Sequence, residues 1–210
     1  SYIPVVAREP SPESGAADAD VDAMLSFRAG REAAMHDVHF GTDEQAVIDG
    51  TTPVVTVTEP SHGPSLDLAS TYFWRVDEVN DAETPTIWQG YLWNFTTQEY
   101  LVVDDFEPYN DIPAGEEGSN LVYVAWVDGF DNPSANGSTM GYVTAESLET
   151  GNVHSGDKSV PLAYNNTTAG ISEVSRTFAP AQDWTAHGVK TLSLWFAENG
   201  RESWPEGGWR

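Results

Sequence analysis

The sequence predicts an all-β protein built of two consecutive antiparallel β-sandwiches, the second incomplete within the chain. Three observations carry this. Short runs rich in Val, Tyr, Phe, Trp and Thr recur, parted by clusters of Gly, Pro, Asn and Asp, which is strand-and-turn punctuation. No long helical pattern separates these runs, so strand follows strand as in sandwiches rather than alternating with helices. Apolar residues make up 40% of the 210, with 8 Trp, 8 Tyr and 8 Phe. That is enough to bury a core despite the charge.

In the first half, the stretch from Ala16 to Ala23 has the most helical look but is short and carries Asp18, Asp20 and Asp22. It reads as a loop or a polar strand edge. Strands follow at Ala23–Phe27, His36–Thr42, Val54–Val57, Thr71–Val79 and Trp88–Thr97. Alternation places Tyr72, Trp74 and Val76 on one face of the long strand and Arg75 and Asp77 on the other. It likewise groups Tyr91, Trp93 and Phe95. The run from Leu68 to Val76 resembles the sixth strand of a fibronectin type III-like (immunoglobulin-type) sandwich. In that resemblance Tyr72 sits at the tyrosine corner, Phe27 is the buried aromatic of the second strand, and Asn94–Thr97 closes the sheet. The resemblance implies a first domain over residues 8–98, behind an N-terminal extension, residues 1–7.

Residues 99–210 form the second domain. Strands are expected at Asn120–Val127, Met140–Thr144, Ser159–Tyr164, Ile171–Phe178 and Thr191–Phe196. The runs VDDFEPYND, VHSGDKSVPLAY and DWTAHGVKTLSLWF resemble jelly-roll (carbohydrate-binding and laminin-G-like) modules of large secreted bacterial surface proteins. A jelly roll uses about eight strands; the candidates are fewer and an irregular tail follows Phe196. Ser1, which is not Met, reads as a processed or trimmed start.

Charge and cysteine usage exclude whole function classes. The chain carries 33 acidic against 9 basic residues, a net charge of −24, and its only lysines are Lys158 and Lys190. Phosphate backbones and anionic membranes would be repelled. With no cysteine, disulfides, thiolate metal sites and cysteine nucleophiles are ruled out. An acidic, Lys-poor, Trp-rich, cysteine-free chain reads as extracellular. His36 and His39 point to opposite faces of a strand, so they read as strand surface rather than as a chelating pair. No nucleophilic triad order, phosphate loop or HExxH motif is present, and the protein reads as no enzyme.

Three sets of residues remain. The jelly-roll resemblance implies a structural Ca2+ near the first strand of the second domain, held by Asp105, Glu107 and Asp157; hard carboxylate oxygens are what this ion takes. Trp195 is the aromatic expected to look away from Leu192, Leu194 and Phe196, while Trp184, Trp204 and Trp209 lie in turn or tail sequence. Outward Trp marks sugar-binding or protein interfaces. Formal N-glycosylation acceptors stand at Asn94, Asn136, Asn165 and Asn166. Trp126, in a run apolar on both faces, reads as core.

The expected function is that of a non-enzymatic extracellular structural protein, polymerising with copies of itself head to tail into a fibre. An incomplete sandwich leaves an open edge, and the extension at Tyr2, Ile3, Val5 and Val6 is the expected donor strand, with Ile3 and Val5 as groove-filling knobs. Donor and acceptor on different domains make a heterologous contact that need not close. The alternative is a carbohydrate-binding accessory module of a larger secreted enzyme, with polysaccharide as partner.

Overall fold

The computed structural model describes residues 4–82, 84–143 and 146–197. The chain divides into two compact units: Ser1–Leu101 with Trp184–Lys190, and Val102–Asp183 with Thr191–Arg210. The segment Trp184–Lys190, expected in the second domain, thus belongs to the first unit.

The first unit is a β-sandwich. Its elements are β1 (Arg8–Ser11), β2 (Ala16–Ala19), β3 (Leu25–Arg28), β4 (Met35–Gly41), α1 (Glu44–Asp49), β5 (Val54–Val57), β6 (Ser61–His62), β7 (Thr71–Val79), β8 (Ile87–Trp88) and β9 (Trp93–Thr97). One sheet runs β1-β3-β6 and the other β2-β9-β7-β4-β5, with β8 paired to β7. Pairing is antiparallel except β2 with β9, which is parallel. Between the sheets lie Leu25 and Phe27 from one side and Val38, Tyr72, Trp74, Val76, Trp93 and Phe95 from the other. The predicted face of β7 is therefore the core face. The Tyr72 hydroxyl accepts a hydrogen bond from the Asp67 backbone N–H at 2.9 Å, pinning the turn that precedes β7.

Three expectations for this unit need correction. The expected strand Trp88–Thr97 is split into β8 and β9, and Tyr91, outside both, is exposed. A short helix, α1, stands where none was expected: Asp43 caps its N-terminus by accepting from Ala46 N–H, and Gly50 ends it in the left-handed conformation. The N-terminal extension is also part of the unit. Ala7 is fully buried in the core, Pro4 C=O accepts from Arg31 N–H at 2.9 Å, and a side chain on Gly30 would overlap the Val5 carbonyl. Val5 and Val6 are half-buried, so residues 4–7 are engaged at home rather than free to be donated. Tyr2 and Ile3 lie outside the described residues.

In the second unit the elements are α2 (Val122–Ala125), β10 (Trp126–Val127), β11 (Ser138–Met140), β12 (Leu162–Tyr164) and β13 (Ser175–Arg176). They form two short antiparallel ladders, β10 with β13 and β11 with β12. Tyr109, Val122, Met140 and Leu148 make the buried cluster, with Phe106, Trp126, Val160 and Val174 packed against it. The expected strand Asn120–Val127 is the helical turn α2 at its centre and strand only over β10. Among the described residues, the run Ile171–Phe178 pairs only over β13, and residues 191–197 pair with no strand. Local side-chain bonds take up backbone groups that ladders would have used. Asp128 accepts from Met140 N–H, while Asn136 accepts from Ser138 and Glu173 N–H.

Candidate functional site

The expected calcium ligands and Trp195 fall in the second unit, while Val5, Val6, Asn94 and Trp184 belong to the first, which also holds a buried polar layer around His36 and His39. In the first unit, β4 and β7 run side by side with His36 opposite Glu78 and His39 opposite Arg75. His36 points into the core, edge-on to Phe27, and its Nδ1 bonds Glu78 Oε2, while Glu78 Oε1 accepts from Gly30 N–H at 2.6 Å. His39 points the other way, toward Asp77, at 3.3 Å. Asp77 also takes two hydrogen bonds from Arg75 and one from Gly90 N–H. The opposite facing of the two histidines agrees with the alternation argument. Their surface placement does not: both are buried, His36 because it faces the core beside Phe27, and His39 because α1 covers the opposite face, tied down by Arg75 through Ile48 C=O at 2.6 Å. Each histidine thus has a carboxylate partner, and the layer is structural.

In the second unit Asp104 is the organising group. Its Oδ2 accepts from the Tyr109 hydroxyl and the Trp126 indole N–H, each at 2.7 Å, and from Arg176. Trp126 accordingly packs on the buried cluster with its N–H satisfied, and Arg176 lies over its ring. Burial, then the hydrogen bond to Asp104, pushes the Tyr109 phenol up to about 12. On the outside, the Tyr142 hydroxyl donates to Glu149 Oε2 at 2.7 Å, which raises the Tyr142 phenol and lowers the Glu149 carboxyl.

The three carboxylates expected around calcium are near one another in the chain fold but do not converge. Glu107 Oε1 accepts from Asp157 N–H at 2.8 Å and Lys158 N–H at 3.0 Å. Asp105 Oδ1 is turned back to Glu107 N–H. Calcium takes about 6–8 oxygens at about 2.3–2.6 Å, and the described residues gather no group of three or more metal-ligating side chains. These residues do not fit the ion.

The aromatic surface is built differently. Trp195 is 42% exposed and stacks on His154, with ring centroids 4.0 Å apart and planes at 20°. The histidine supports one face of the indole. Leu192 and Leu194, expected to be core, are 57% and 55% exposed, and Phe196 is exposed as well. The run therefore presents apolar groups on both sides, and among the described residues no strand pairs with it to turn one side inward. Trp184 is exposed on the first unit; Trp204 and Trp209 lie outside the described residues. An open groove of about 400 Å3 beside α2 is lined by Ala114, Gly115, Ser119, Leu121 and Val124, with Glu116 as its one carboxylate.

The sequons differ in their engagement. Asn136 is held at both ends of its amide, donating to Glu173 C=O and accepting twice. Asn166 accepts from the Ser172 hydroxyl, Asn165 from Thr167, and Asn94 is half-buried in β9.

No family model matches the chain, and no curated protein matches it. Among solved structures, an alpha-L-rhamnosidase from Dictyoglumus thermophilum is similar over 46% of this chain, at 15% identity and a TM-score of 0.35. The match spans 12% of that enzyme's chain.

Proposed function

We propose that this protein is a non-catalytic extracellular module whose second unit binds a neutral polysaccharide through Trp195. The observation that carries the reading is the His154–Trp195 stack, which leaves a supported indole face open at the surface. A flat π-face with a partial negative charge attracts the polarised C–H groups of a sugar ring. Stacking a rigid aromatic costs little side-chain entropy, which suits it as an anchor. A net charge of −24 disfavours anionic glycans and leaves neutral ones as the matching class. Affinity electrophoresis through gels containing neutral polysaccharides tests this. Wild type should be retarded by at least one polymer, and Trp195→Ala should migrate as if no polymer were present. Unretarded wild type, or equal retardation of the variant, overturns the reading.

A second reading is self-assembly by strand uptake. The support is the exposed run at residues 191–197, whose backbone pairs with no strand among the described residues; such an edge accepts an added strand. The donor in this reading is not residues 4–7, which are engaged in the first unit. Sedimentation velocity separates it from the first: concentration-dependent growth that Leu194→Lys abolishes favours assembly, and a monomer at all concentrations removes it.

A further inference from the structure

We propose that the ammonium group of Lys158 is the resident cation of the second unit, standing where a structural metal would otherwise join the opening loop to the turn at residues 154–158. Lys158 Nζ donates to Glu107 C=O and to Tyr109 C=O, each at 2.8 Å. That is hydrogen-bond length for an ammonium and too long for calcium coordination. The same residue's backbone N–H, with that of Asp157, holds the Glu107 carboxylate. The staple is therefore reciprocal: the turn supplies N–H groups to the loop's carboxylate, and an ammonium to the loop's carbonyls. The two segments are some fifty residues apart in sequence.

The turn is shaped around this carboxylate. Gly156 has a φ of +73°, and any Cβ there would overlap Glu107 Oε1. A left-handed residue followed by two N–H donors forms an anion-binding concavity, so the Glu107 charge is satisfied without a divalent ion. One Glu107 oxygen is held by backbone N–H groups and two carbonyls by an ammonium, and among the described residues no three metal-ligating side chains gather around an ion. Lys158 is one of two lysines in the chain, and it lies half-buried with two of its three donors committed inside the unit. Lysine is suited to this as a compact charge on a flexible stem, whereas arginine carries a planar fork of donors rather than a point charge.

The second unit should accordingly be indifferent to divalent ions. Thermal unfolding of the full chain is followed with millimolar Ca2+ and with chelator, for wild type and for Lys158→Ala. Wild-type curves should superimpose. Lys158→Ala should melt lower by about 5 °C or more, and added ethylammonium, which replaces the lost head group, should raise its melting temperature without moving wild type. A wild-type melt that rises with calcium overturns the proposal and does not depend on the variant folding. So does a Lys158→Ala protein that unfolds at the wild-type temperature.

Discussion

Replacing Glu78 by alanine removes a buried carboxyl group that holds two segments of the first unit. Glu78 is fully buried on β7, directly across the ladder from His36 on β4. One oxygen accepts from Gly30 N–H at 2.6 Å and the other bonds the His36 ring. Glu78→Ala removes both acceptors at once. Removing one partner of a buried, hydrogen-bonded pair of titratable side chains costs up to about 3–5 kcal/mol, and leaving the Gly30 N–H unpaired adds about 1 kcal/mol or more. The expected loss is thus up to about 4–6 kcal/mol, comparable with the whole stability of a small domain at about 5 kcal/mol. Glu78→Gln keeps the shape and the acceptor for Gly30, and its amide can donate to a neutral His36, so it should lose only about 1 kcal/mol. Urea unfolding followed by tryptophan fluorescence reads this unit, because Trp74 and Trp93 pack 4.8 Å apart in its core. A Glu78→Ala protein within about 1 kcal/mol of wild type would refute the reasoning, since the buried carboxylate would then be holding nothing together.

Tyr72→Phe should lower the urea midpoint of the first unit by the equivalent of about 1 kcal/mol, because it orphans the Asp67 N–H that the hydroxyl satisfies; an unchanged midpoint would count against this bond. Gly156→Ala should destabilise the second unit by about 2 kcal/mol or more, from a left-handed backbone and the displaced Glu107 carboxylate, and chemical denaturation will measure it. Tyr109 supplies a pH test. Its phenol, pushed up from 10.0 to about 12 by burial and Asp104, binds its proton more tightly folded than unfolded. Its contribution to stability should be complete below about pH 10 and lost as pH climbs toward about 12. Tyr109→Phe should flatten that part of the stability profile, and an unchanged slope would place the titrating group elsewhere.

The first unit is legible in the sequence because its strands alternate cleanly. Tyr72, Trp74 and Val76 face the core as the period of two requires. The helix α1 has a readable signal, an Asp43 cap and a Gly50 stop around six residues; it escapes a search for long apolar periods because it buries only Val47. Missing it makes His39, Arg75 and Asp77 look exposed. The second unit is harder to read, since runs such as residues 191–197 have strand periodicity without a strand beside them, and periodicity says nothing about pairing. The calcium expectation likewise rests on a family resemblance and on residue types. Whether Glu107 faces an ion or two backbone N–H groups of a glycine turn depends on chain geometry fifty residues away. The Trp195 surface is partly legible: its outward facing follows from alternation, but its support by His154 is a long-range contact.

The most direct test of the proposed function observes the indole N–H resonances of the protein by NMR while a neutral oligosaccharide is titrated in, with the Trp195 signal assigned from Trp195→Phe. The account predicts that the Trp195 resonance shifts progressively with ligand while those of the buried Trp74 and Trp93 stay in place. A Trp195 signal that never moves, with any neutral glycan tested, would contradict it.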